Sequence, residues 1–121
     1  MAAVTAFFKK DRGVAHIGVI ASAGTGQANA AAIPPPTSIG LARAQDVLCE
    51  VTGTAFANLP ISSAVQVGDN VVVYTKVGTP TINASVGDTL LGGAVAQVGP
   101  VSNTFRVVEI AAGVATWIKE K

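Results

Sequence analysis

Short apolar runs rich in valine, cut at close intervals by Gly, Pro, Asn or Asp, make up the chain from residue 39 onward. These runs predict strands over 47–53 (VLCEVTG), 54–58 (TAFAN), 71–76 (VVVYTK), 80–84 (PTINA), 90–97 (LLGGAVAQ), 104–110 (TFRVVEI) and 114–119 (VATWIK). Upstream, 14–21 (VAHIGVIA) is β-branched and too interrupted by glycine for a stable helix, so it too predicts a strand. The segment 22–38 is irregular, and its Pro34-Pro35-Pro36 run must be extended without donating backbone hydrogen bonds. One helix candidate, 41–50 (LARAQDVLCE), has an alanine-rich start, but Val47 through Thr52 suits a strand better. The segment therefore divides at a turn near Ala44–Asp46.

Strands at roughly 8–12-residue spacing predict a mainly β fold, a small single-domain β-barrel or sandwich. Residues 1–38 are expected to form an N-terminal strand and extended Ala/Pro arm, and 39–121 the β-rich core domain. Alternation within the strands is poor: 71–75 carries valine on both faces, and Phe105 and Val107 oppose Val108 and Ile110. Strands apolar on both faces are expected to be covered on both. A chain of 121 residues cannot easily cover them all, so part of this surface is expected to be buried against other subunits.

Composition sharpens that expectation. Half the residues are apolar, yet 21 are Ala and 18 are Val, and only 12% are charged. Eight basic residues against seven acidic ones offer no clustered cationic surface for nucleic acid. A single Cys rules out an intrachain disulfide framework, and a single His rules out most His-based catalytic or metal clusters. No run reaches the ~18 apolar residues of a membrane helix. The start, MAAVTAFFKKDR followed by GVAHIGVIASAG, has the outline of a signal peptide. Asp11, His16, Gly13 and Gly18 break that pattern, and no leader is expected. The composition points to assembly and away from enzymes, with no cofactor and no metal expected.

The clearest internal echo is Val67-Gly68-Asp69 and Val86-Gly87-Asp88. Gly admits positive φ in a turn and Asp accepts a backbone N–H there, so both predict turns. Calcium would need a denser acidic loop, and a catalytic reading would need Asp69 or Asp88 to meet His16. Val-Gly-Asp turns also occur in lipoyl and biotinyl carrier barrels, where Lys76 would be the modified residue, although its flanking pattern is absent. Gly24-Thr25-Gly26 lacks the remainder of a phosphate loop. Cys49, between Leu48 and Val51, is expected to be a small buried apolar residue. Tyr74 and Trp117, the large amphipathic aromatics, fit an interface anchor or a core position. Phe7, Phe8, Lys9, Lys10 and Arg12 at one end, His16 on the first strand, Pro34, Pro35 and Pro36 in the arm, and Trp117 are the candidate partner-interface residues.

From Ile39 to Ile110 the order of elements resembles the capsid cement, or head-decoration, proteins of tailed bacteriophages. The pattern runs from Ile39-Gly40-Leu41-Ala42 through VLCEVTGTAF and Asn58-Leu59-Pro60 to Val67-Gly68-Asp69-Asn70-Val71 and Tyr74. It continues through PTINA, Gly87, Leu91-Gly92-Gly93-Ala94-Val95-Ala96 and FRVVEI. The resemblance implies a small β domain on the outer surface of the phage head, without catalytic residues. There it would bridge major capsid protein subunits as a dimer or trimer and stabilise the virion against internal pressure. The N-terminal arm is expected to be ordered, with 14–21 paired as a strand and 24–38 extended along a neighbouring subunit. Strand edges and Gly/Pro-broken apolar segments favour such docking.

Overall fold

The computed structural model describes residues 14–36, 38–39, 42–43 and 46–120. The chain is mainly β. Its strands are β1 (Val14–Ala21), β2 (Ala31–Ala32), β3 (Ser38–Ile39), β4 (Ala42–Arg43), β5 (Asp46–Thr52) and β6 (Phe56–Asn58). There follow β7 (Asn70–Thr75), β8 (Thr81–Asn83), β9 (Thr89–Leu90), β10 (Val95–Ala96), β11 (Val101–Ala111) and β12 (Val114–Glu120). A six-stranded sheet has the order β1-β5-β7-β11-β12-β9, and a four-stranded sheet the order β10-β8-β6-β2. The segment expected to divide near Ala44–Asp46 does so, into β4 and β5, and forms no helix among its described residues.

The chain alternates between the two sheets. β1 and β2 make a first rung, β5 and β6 a second, and β7 and β8 a third. Equivalent strands stack in parallel: Val14 beside Asp46 beside Asn70, and Ala57 beside Ile82. This winding is a β-solenoid, and it corrects the expected barrel or sandwich. The larger sheet is open, with β1 and β9 at its edges, and its first three strands are parallel. Local strand signals are blind to that choice, because a parallel rung and an antiparallel meander use the same apolar residues and the same turn residues. The stack ends in an antiparallel hairpin, β11 against both β7 and β12.

The core lies between the sheets. The larger sheet contributes Val47, Cys49, Val51, Val71, Val73, Phe105, Val107, Ala115 and Trp117. The facing strands and their extensions contribute Ile33, Ala57, Leu59, Ile82 and Ala84. Cross-strand rows such as Val47, Val71 and Phe105 show that burial alternates even where hydrophobicity does not. Val72 and Tyr74, on the outward face of β7, are half-buried, so only one face of that strand is fully covered. A polar chain crosses this interior. Gln97 donates to the Val73 carbonyl at 3.0 Å and to Thr75 Oγ1 at 3.1 Å. Thr75 donates to the Val51 carbonyl at 2.9 Å, and Asn103 donates to Gln97 Oε1 at 2.9 Å. Each of these buried groups is satisfied, which removes the desolvation cost of placing them in a core.

The N-terminal segment is built into the domain. β1 pairs with β5, as the sequence predicts for 14–21, and β2 pairs with β6. The Ile33 N–H donates to the Asn58 carbonyl at 2.8 Å, and the Ile33 side chain is buried in the core. Part of the segment 24–36 thus packs on its own chain, through β2 and Ile33. Within it Ile33 and Pro36 are buried, Ala30 and Ala31 are half-buried, and Ala28 and Ala32 are exposed.

Candidate interaction surface

Two corners join the sheets, and the chain chemistry of each is distinct. At the corner leaving the larger sheet, Gly53 bridges to Gly78, and the Gly99 N–H donates to the Gly78 carbonyl at 3.0 Å. Stacked rungs leave no room there: a Cβ on Gly78 would lie 2.5 Å from the Gly53 carbonyl oxygen, and one on Gly99 would lie 2.8 Å from that of Lys76. Gly78 also has φ +106°, a conformation side chains rarely adopt. The residues preceding Gly78 and Gly99 are pushed outward. Val77 is 77% exposed and Val98 is 61% exposed, with exposed Val101 entering β11 beside them.

The opposite corner is made by the two Val-Gly-Asp segments, which form turns as expected. The Asp69 N–H donates to the Gln66 carbonyl at 3.0 Å, and the Asp88 N–H to that of Ser85 at 2.9 Å. Positive φ falls on Gly68 and Gly87. The carboxylates act on backbone: Asp69 Oδ2 accepts the Gln66 N–H, while Asp88 accepts the N–H groups of Ser62 and Ala115. Asp88 thereby ties the segment after β6 to β12. Again the valines of the turns, Val67 and Val86, are exposed, together with Ile61 and Val108. A shallow depression of about 270 Å³ lies here, lined by Val67, Gly68, Arg106, Val107 and Val108. Arg106 also pairs with Glu120 at 2.9 Å.

The sequence-predicted interface residues fare unevenly. Phe7, Phe8, Lys9, Lys10 and Arg12 lie outside the described residues, and His16 is placed on β1. Pro34 and Pro35 are half-buried and Pro36 is buried. Trp117 is fully buried in the core, with its indole Nε1 lacking a hydrogen-bond partner, which removes it as an interface anchor. Its place on β12 beside Val107 makes it the largest filler between the sheets. Cys49 is buried, and burial followed by the neighbouring Glu50 charge pushes its thiol up to about 11. Lys76 is exposed in the bend that follows β7 at the glycine corner. Among the described residues no group of three or more His, Cys, Asp or Glu is placed to hold a metal.

The surface that the structure adds is the pair of valine-bearing corners. A signal for it exists in the sequence: Val-Gly recurs at 67–68, 77–78, 86–87 and 98–99. The valine of each of these pairs is exposed apolar surface. Comparison of the chain with protein-family models, curated proteins and solved structures found no match.

Proposed function

We propose that this protein is a structural virion protein, a phage capsid cement that binds the outer face of the head and bridges major capsid protein subunits. The observation that carries the reading is the apolar rim at each of two opposite corners. Val77, Val98 and Val101 lie at one, and Ile61, Val67, Val86 and Val108 at the other. A bridge needs two docking edges on a stiff body. The rims are separated by the length of the strands, about 20 Å for the six residues of β7. Exposed β-branched side chains held by turns lose little entropy on docking, and contiguous apolar exposure marks interaction surfaces. The resemblance of residues 39–110 to head-decoration proteins supplies the identity of the lattice.

The test is co-sedimentation with expanded, DNA-free phage heads, followed by heating of the decorated heads. The wild-type chain is expected to bind saturably and to raise the temperature of head disruption. The pair Val77→Asp and Val98→Asp removes one rim. It is expected to weaken head stabilisation more than binding, because one remaining edge still docks but no longer bridges. Failure of the wild-type chain to bind expanded heads would overturn the reading.

A further inference from the structure

We infer that the outer edge of β1 is a pairing surface for a second copy of this chain. Two β1 strands would meet antiparallel about a twofold axis, making the six-stranded sheets of two molecules continuous. Four strand edges end the two sheets: β1 and β2 on the first rung, β9 and β10 at the other end. β9 and β10 are two residues each, and β2 is two residues followed by Ile33 and the three prolines, which lack N–H donors. Only β1, with eight residues, is a long edge, and among the described residues its outer side has no strand beside it. Proteins protect such edges with charge or proline. Here the sequence has no Asp, Glu, Lys or Arg between Arg12 and Arg43, and β1 has no proline. The one irregularity is the register shift between His16 and Gly18.

The same facts select the occupant. Addition to the far end of another copy would leave most of β1 unmatched, since β9 and β10 are so short. A strand of equal length and equal neutrality is its own best complement, and a twofold pair brings no like charges together. Val19, 61% exposed on this strand, gains cover in the pair. The footprint is modest, about 26 Å of strand by roughly 10 Å of sheet spacing. It falls well below the ~800 Å² per partner of a standard interface. The pair is therefore weak in dilute solution and forms where copies are crowded.

This inference is independent of capsid binding and is tested on the isolated full-length protein. Amide hydrogen exchange and sedimentation are followed from about 10 μM to about 1 mM, the range expected for so small an interface. Protection of residues 14–21 should rise with concentration in step with dimer formation. Val19→Lys should abolish both effects while leaving the near-ultraviolet signal of Trp117 and the thermal midpoint unchanged. Should the variant lose that Trp117 signal, the wild-type concentration series alone decides. An absence of dimer at the highest concentration overturns the inference. So does protection that is independent of concentration and lost when residues 1–12 are removed, which assigns the edge to the chain's own N-terminus.

Discussion

The first rung and the C-terminal hairpin share one sheet but are held in it by different means. The hairpin β11–β12 buries Phe105, Val107, Ala115 and Trp117, and the outward Arg106 and Glu120 pair across it. Among the described residues, hydrogen bonds tie the first rung to the second and third. The Ser22 N–H reaches the Thr52 carbonyl at 2.8 Å, Gln27 Nε2 the Ala84 carbonyl at 2.6 Å, and Asn58 Nδ2 the Gln27 carbonyl at 2.8 Å. Ile33 is buried in the core, and Ile20 of β1 packs against it half-buried. Large apolar fillers couple the hairpin to the whole core, so disturbing them is felt globally. A rung at the end of the stack, tied to it by lateral hydrogen bonds, can open on its own, as local units of a fold do.

The strongest way to break that contrast is Trp117→Ala. Removing the largest core filler is expected to cost about 3–5 kcal/mol in urea unfolding, with every probe shifting together. Ile33→Ala removes a buried aliphatic of the kind worth about 2–5 kcal/mol in a rigid core. Here its effect is expected to be confined: amide exchange should accelerate across 14–36 while the amides of 101–120 keep their protection. Equal acceleration in both regions would show that the rung and the hairpin open as one unit.

Glycine substitutions sharpen the same comparison at smaller scale. Gly78→Ala sets a Cβ against the backbone of the neighbouring rung and keeps a strained φ, so about 2–3 kcal/mol of stability should be lost. Gly113 in the β11–β12 turn has φ +79° but open space around it, and Ala112 beside it already has φ +53°. Gly113→Ala should therefore cost only about 1 kcal/mol, the conformational penalty alone. A pH dependence is expected inside the second rung, confined to alkaline conditions. The Cys49 thiol titrates near 11 in the folded chain against an ordinary 9.0. Between those values the native state keeps a proton that the unfolded chain releases, so stability should fall as pH rises through that window and be unaffected below it. Cys49→Ala should flatten that slope, and the native thiol should react with a maleimide only at the rate of opening.

The positions of most strands were legible because β-branched runs and turn residues are local signals. β5, β7, β8 and β12 fall within about a residue of their expected limits. The run 90–97 was misread as one strand, since Gly92 and Gly93, both at positive φ, divide it into β9 and β10. Of the surface, the turns at 66–69 and 85–88 could be read from Gly and Asp and their exposed valines from the Val-Gly pairs, but which turns share a corner could not. Nor did the sequence reveal that Trp117 lies inside: an amphipathic aromatic suits a core or a rim, and only the neighbours decide.

By itself the sequence determined a small, weakly charged, valine-rich β chain and where its strands begin and turn, because backbone φ preference and β propensity act within a few residues. The tertiary structure decided that the strands wind into parallel rungs, that 14–36 belongs to the domain, and that glycines stack at one corner. Those choices depend on which distant segments share hydrogen bonds and whether a Cβ fits between two rungs. Such contacts join residues far apart in the chain, as Gly53 and Gly78 are, and nothing in either segment alone specifies them.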